Sequence, residues 1–421
     1  MKIKKIYASQ IAALDSNVST GGGTDDTAAI QAVLDEAKDD NIGIHLIMDG
    51  AALISGLLVY SDTTIECINS DCGFYLKDFS DDAIIKNGNL STREIKDKNI
   101  TLKGGSYNQN CLNQNRLLPE DKIFPQGENC SKSVTGFKFF GVEDFTMDSV
   151  TIIDQKTYAC IMGNWKNVVM NNINIPLPHE VPGTNQDGLH FHSPGEFLKI
   201  TNCRGRTGDD FIALNTDEGN GENSITDVII DGVYLENSDQ AIRILCWNKG
   251  RIDRVSIKNV SGKFKSFGFF IQPFFPGPCG SFGNITIENV DLEQTEHIYP
   301  YMNPFLFHIG GKIDSITLKN INVRYNHKDF NVISVAEAFS PGYQTDIPDV
   351  TYVKNLTVKD LKIWDERDDH DSSKYIRINR RLGKFVLENA HAQRSVPNKL
   401  KFVNIDDGGE IEEFYSVMSD E

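Results

Sequence analysis

The densest polar cluster runs through Thr184-Asn185-Gln186-Asp187-Gly188-Leu189-His190-Phe191-His192 and continues at Arg204-Gly205-Arg206-Thr207-Gly208-Asp209-Asp210. If successive strands stack with a period of this length, Asp187 and Asp209 stand on adjacent rungs, with Asp210 beside them. Carboxylates held that close repel one another, which raises the proton affinity of at least one. One protonated acid beside one ionised base is what general acid–base chemistry requires. The plain alternative is that Asp and Gly here make turns between strands.

Other polar residues point the same way. His190 and His192 alternate with Phe191, so on a strand both project to one side. They could bind hydroxyl groups or a metal, or they could simply face solvent. Gln240 and Arg243 lie in Asn237-Ser238-Asp239-Gln240-Ala241-Ile242-Arg243-Ile244-Leu245-Cys246-Trp247. Arg243 is suited to neutralising a carboxylate, for example by a bidentate pair with Asp209, or to a structural ion pair. Trp247 and Tyr234 could stack on a sugar ring or be buried. His308 reads as a strand histidine. The run from Phe269 to Gly277 reads as loop packing, and the polar stretch from Asn108 to Lys132 as a long excursion from the repeat.

The elements that must position these residues are repeats. The pattern apolar-x-apolar-x-Asn-apolar recurs at Val168, Leu198, Val228, Val255, Ile285, Ile316, Leu356 and Phe385, with weaker copies at Ile100 and Phe145. The spacing is mostly roughly 23 to 31 residues, a solenoid period. Each copy alternates apolar and polar residues, which is a strand signal. Short strands with turn-like Asn, Asp and Gly predict an all-β, single-stranded right-handed parallel β-helix. The Asn before the second apolar residue suits a tight bend and can bond along a stack of like residues.

A solenoid must also cover its ends. Gly23-Thr24-Asp25-Asp26-Thr27 precedes Ile30, Val33, Leu34 and Ala37, the spacing of an amphipathic helix over about 26–38 with Asp25 and Asp26 suited to its N-cap. The expected organisation is an N-terminal cap over 1–60, a parallel β-helix over 61–392 and a C-terminal cap or tail over 393–421.

The 421 residues carry 42 Lys and Arg against 59 Asp and Glu, a net charge of -17. That balance argues against nucleic acid as a partner. No apolar run reaches the ~20 residues of a membrane span, so no membrane partner is expected. The eight cysteines are scattered without a CxxC pair, which argues against a zinc site and for buried free thiols. The N-terminal residues lack the long apolar stretch of a secretion signal. A cytoplasmic location, or secretion with a leader removed, is therefore expected. Oligomeric state is not legible.

Asn185-Gln186-Asp187-Gly188 followed one coil later by Gly208-Asp209-Asp210-Phe211-Ile212-Ala213-Leu214-Asn215 resembles the family 28 glycoside hydrolases, the polygalacturonases and their relatives. Gly23-Thr24-Asp25-Asp26-Thr27-Ala28-Ala29-Ile30 is similar to the cap entry of pectate-lyase-like β-helix proteins. The repeat covers most of the chain and these motifs about 70 residues of it. The resemblance implies an inverting hydrolase, with Asp209 as the acid and Asp187 and Asp210 activating water across a gap of about 6.5–9.5 Å. It places Asn185, His190, His192, Gln240 and Arg243 toward a carbohydrate substrate, and it implies no cofactor and no metal.

The sequence departs from the family at its GHG and RIK segments. Read as the first, 237–247 puts Gln240 where His belongs; read as the second, the preferred reading, it matches Arg243 and Ile244 but puts Leu245 where Lys belongs. The His coil would then be missing, and a sugar other than galacturonate becomes possible. Two alternatives stand beside the hydrolase. One is a calcium-dependent polysaccharide lyase with the three aspartates as ligands and Arg206 or Arg243 as base. The other is a glycan-binding β-helix without catalysis.

Overall fold

The structure, a computed structural model, describes residues 1–39, 42–115, 134–181, 185–219, 223–246, 249–273, 280–338, 351–367, 375–394 and 402–417. They form two compact units, residues 1–209 with 218–220 and residues 210–217 with 221–421.

In the first unit the strands pair in parallel with strands a coil away, in three stacks. One stack runs Lys2–Tyr7, Ile42–Met48, Thr63–Cys67, Asp97–Lys103, Phe137–Asp148, Cys160–Asn171 and Gly195–Gly205. A second links Ala51–Ile54, Gly73–Leu76, Ser106–Asn108, Thr151–Ile153 and Asn174–Ile175. The third links Leu57–Val59, Ile85–Asn87, the start of Phe137–Asp148, the start of Cys160–Asn171 and Leu189–Ser193. The repeat sets the register: Ile100, Phe145, Val168 and Leu198 stand in line, all buried. Burying such a side chain contributes ~1.5–3 kcal/mol, and the polar residues between them face outward.

The second unit repeats the plan. Ile225–Leu245, Arg251–Gln272, Ser281–Gln294, Lys312–Tyr325, Tyr352–Asp365, Arg381–Arg394 and Glu410–Val417 pair in parallel, each with the next. Val228, Val255, Ile285, Ile316, Leu356 and Phe385 align as the pattern predicts. The bend residues are where the chain needs them. Asn172, Asn202, Asn259, Asn289, Asn320 and Asn389 adopt φ between 53° and 56°, or 57° for Asn289, and Asp360 adopts 57°. Asn tolerates this left-handed region better than most residues. The amides also form a ladder: Asn289 Nδ2 donates to Asn259 Oδ1 at 3.0 Å, and Asn320 Nδ2 to Asn289 Oδ1 at 2.9 Å.

A further bend was not anticipated. Asp62, Asn99, Asp144, Asn167, Phe197, Asp227 and Arg254 also have positive φ, at a second corner of seven of the coils.

The predicted helix is Thr27–Leu34, continued by a 3-10 turn over Asp35–Lys38. Ile30, Val33, Leu34 and Ala37 are buried. The capping differs from expectation. Asp26 holds the N-cap position without a side-chain cap bond. Its carboxylate reaches back to the amides of Ala13 and Leu14, at 2.8 and 2.9 Å. Asp25 instead accepts the Thr27 amide at 3.1 Å. Gln31 on this helix accepts the Leu58 amide at 2.8 Å and donates to the Leu58 carbonyl at 3.1 Å.

One loop expectation is revised. Phe269, Phe270, Ile271 and Gln272 are strand residues, and Phe269 stacks on Phe307 with centroids 4.8 Å apart; alternation, not turn chemistry, decides there. Residues 274–277 of that run lie outside the described residues, as does most of the excursion after Asn115. Cys67, Cys72, Cys111, Cys160, Cys203 and Cys246 are buried free thiols, whereas Cys130 and Cys279 lie outside the described residues.

Candidate functional site

In the first unit the site begins where the chain enters Leu189–Ser193. The amides of Ala159 and Cys160 donate to the carbonyls of Asp187 and Gly188, at 2.9 and 3.0 Å, so Asp187 is fixed by ladder backbone. The Gly208 amide donates to the Gln186 carbonyl at 3.1 Å. Asp187 and Asp209, each the next residue, therefore stand on neighbouring coils. Their burial differs: Asp187 is buried, whereas Asp209 is partly exposed. Asp187 Oδ2 lies 2.7 Å from Nδ1 of His190. The Thr207 hydroxyl donates to the backbone carbonyl of Asp209 at 2.9 Å.

His190 and His192 do project to one side, with ring centroids 4.9 Å apart. They are not solvent-facing. Both are buried, His190 stacked on Tyr158 at 4.4 Å and His192 edge-on to Phe140 at 5.9 Å. The aromatic partners come from other coils, which strand alternation alone does not reveal. Asn185 is exposed, with φ 51°.

In the second unit Asp210 pairs in register with Gln240. Segment 237–246 is thus the coil directly after the Asp-Asp strand, with no separate His-bearing coil before it. Arg243 Nε lies 3.0 Å from Asp210 Oδ2, and its Nη2 donates to Gln240 Oε1 at 2.7 Å. The guanidinium also lies 5.2 Å from the Phe270 ring centroid. The ion pair found is with Asp210, the neighbour of the expected Asp209. Strand geometry explains it: Asp210 and Ala213 oppose Gln240 and Arg243, so the long Arg side chain reaches back along the rung. Tyr234 is exposed at 51% and Trp247 lies outside the described residues.

Two groupings escaped the sequence reading. Lys265 Nζ and Asp239 Oδ1 form a buried pair at 2.6 Å. Cys111, Asp154 and His179 bring their Sγ, carboxylate and imidazole within 4.8 Å of one another, so metal-ligand chemistry is present without a CxxC pair. The available signal was the coil period, which separates Asp154 from His179. Burial, with Asp154 next to it, pushes the Cys111 thiol up to about 12, which removes it as a free thiolate nucleophile.

Residues 121–220 match the model of glycosyl hydrolases family 28, a span holding both aspartate motifs. A polygalacturonase of Brassica napus is 28% identical over 141 residues, covering 28% of this chain and 35% of the relative. One from Cochliobolus carbonum is 24% identical over 176 residues, covering 37% and 46%. These matches support a divergent member of glycosyl hydrolase family 28. The chain spans less than half the length of the curated relatives it matches.

Solved structures show the fold. The family 28 exopolygalacturonase of Yersinia enterocolitica aligns with TM-score 0.56 at 12% identity, covering 99% of this chain and 78% of that one. A tailspike protein mutant of E. coli bacteriophage HK620, in complex with a pentasaccharide, gives TM-score 0.56 at 12% identity, covering 94% and 75%. The fold is accordingly the parallel β-helix.

Proposed function

We propose that the chain is a glycoside hydrolase that cleaves a pectin-like poly- or oligosaccharide by inversion, with Asp209 as acid and Asp187 and Asp210 as base. The observation that carries this reading is the family match over 121–220, which spans both aspartate motifs. The surroundings support the division of roles. His190 stands beside Asp187 and the Arg243 guanidinium beside Asp210, partners suited to orienting a base. Asp209 is the more exposed of the three and suits the donor that must meet a leaving oxygen. The reading also includes a right-handed winding, the usual hand of parallel crossovers, and a capping role for the helix Thr27–Leu34.

Asn185, exposed at the end of its motif, and Gln240 with Arg243 are the proposed contacts to sugar hydroxyl or carboxylate groups. A lyase would need a free Arg base. Arg206 is ion-paired with Glu180 and Arg243 with Asp210, which favours the hydrolase.

The test is reducing-sugar release from polygalacturonate, rhamnogalacturonan and neutral polymers by wild type and Asp209→Asn, with and without added calcium. Wild type should release sugar without calcium and without an unsaturated, ultraviolet-absorbing product. Asp209→Asn should lose about 10²–10⁴-fold in rate with its melting midpoint unchanged. Equal release by both proteins would remove Asp209 from the acid role.

A further inference from the structure

We propose that Cys111, Asp154 and His179 form a site for one zinc-class divalent cation, with a fourth position open to water. The three residues come from three separate coils of the first unit. Cys111 Sγ lies 3.3 Å from Asp154 Oδ1, and His179 Nδ1 lies 3.0 and 3.1 Å from the two Asp154 oxygens. Zinc bonds of about 2.0–2.3 Å in a tetrahedron put neighbouring ligand atoms roughly 3.3–3.7 Å apart. The observed separations therefore need only small movements to accept the ion.

The donor set fits the charge. A thiolate, a carboxylate and a neutral imidazole balance a divalent cation, and a thiolate selects zinc over calcium or magnesium. Binding exchanges the Cys111 S–H bond for an S–metal bond and releases one proton to solvent. Access is provided by His179, whose side chain is 51% exposed, while Cys111 and Asp154 are buried. Lys156, buried nearby, donates to the Cys111 carbonyl at 3.0 Å and so holds the turn that carries the thiol.

The site is joined to the segment bearing Asp187. The Gln186 side chain donates through Nε2 to the His179 carbonyl at 3.1 Å and to the Gln155 carbonyl at 2.7 Å. Gln155, next to Asp154, donates to the Asp187 carbonyl at 3.3 Å. A cation at Cys111, Asp154 and His179 thus fixes both ends of the path that holds Asp187. It acts as a positioning group and takes no part in the reaction.

Metal binding can be read without substrate, so its failure is separate from failure of the hydrolase reading. The full chain is stripped with chelator and titrated with cobalt(II), then with zinc. The expected result is one equivalent of cobalt, with a thiolate-to-cobalt charge-transfer band that zinc abolishes. His179→Ala, an exposed position that should fold normally, should weaken zinc binding more than about 100-fold, beyond what outer partners contribute. Cys111→Ser should lose the band, while Cys203→Ser should keep it. Zinc should raise the melting midpoint of wild type and not of His179→Ala. No band in wild type, or unchanged affinity in His179→Ala, would overturn the proposal.

Discussion

His308 sits on the strand Phe305–Ile309, edge-on to Phe270 at 5.3 Å, with Nε2 lacking a hydrogen-bond partner among the described residues. Burial pulls its pKa down to about 4. The folded protein therefore holds the neutral ring, and the unfolded chain takes up the proton first. The stability this gives is full above about pH 6.5 and is lost progressively as pH falls toward 4. It amounts to roughly 3 kcal/mol. Denaturant titrations from pH 7 to 4.5 should show a shallower acid loss for His308→Phe than for wild type; parallel curves would reject the assignment. The same burial separates what the sequence reveals at this scale from what it conceals. That His190 and His192 share a side follows from alternation. That both are enclosed depends on Tyr158 and Phe140, which only stacking brings near.

The coil is the unit in which the bend residues act. Asn289 combines a φ of 57° with amide bonds to Asn259 and Asn320. Asn289→Ala meets a left-handed penalty of about 1–2 kcal/mol and loses bonds of ~0.5–1.5 kcal/mol each. The expected total is about 2–5 kcal/mol. Asn289→Gly keeps the backbone freedom and should recover about 1–2 kcal/mol of that. Equal losses in urea unfolding would show that the ladder alone matters. This bend was legible because one residue type recurs at one place in the pattern. The second corner was not, because Asp, Asn, Phe and Arg share it and no single type marks it. The strand Ile225–Leu245 was legible only in its first half for a related reason: beyond Leu235 the alternation gives way to Ser238, Asp239 and Gln240. The Cys111 grouping was hidden because its members belong to no repeated position.

Across the whole molecule the net charge of -17 opposes a long polyanion. Screening should relieve that opposition: the Debye length falls from about 30 Å at 0.01 M salt to about 10 Å at 0.1 M. KM for polygalacturonate should then fall as salt rises over this range, while KM for a neutral oligosaccharide should stay level. A rise for the polyanion would point to a local basic attraction outweighing the overall charge. Gln31 engages both backbone polar groups of Leu58, at 2.8 and 3.1 Å, on a strand whose other side is paired. A strand edge left with free amide and carbonyl groups is a template for another chain. The side-chain amide is therefore a guard of solubility as well as a fastening for the helix. Gln31→Ala should show concentration-dependent association by light scattering where wild type shows none, even if its fold and its melting midpoint barely change.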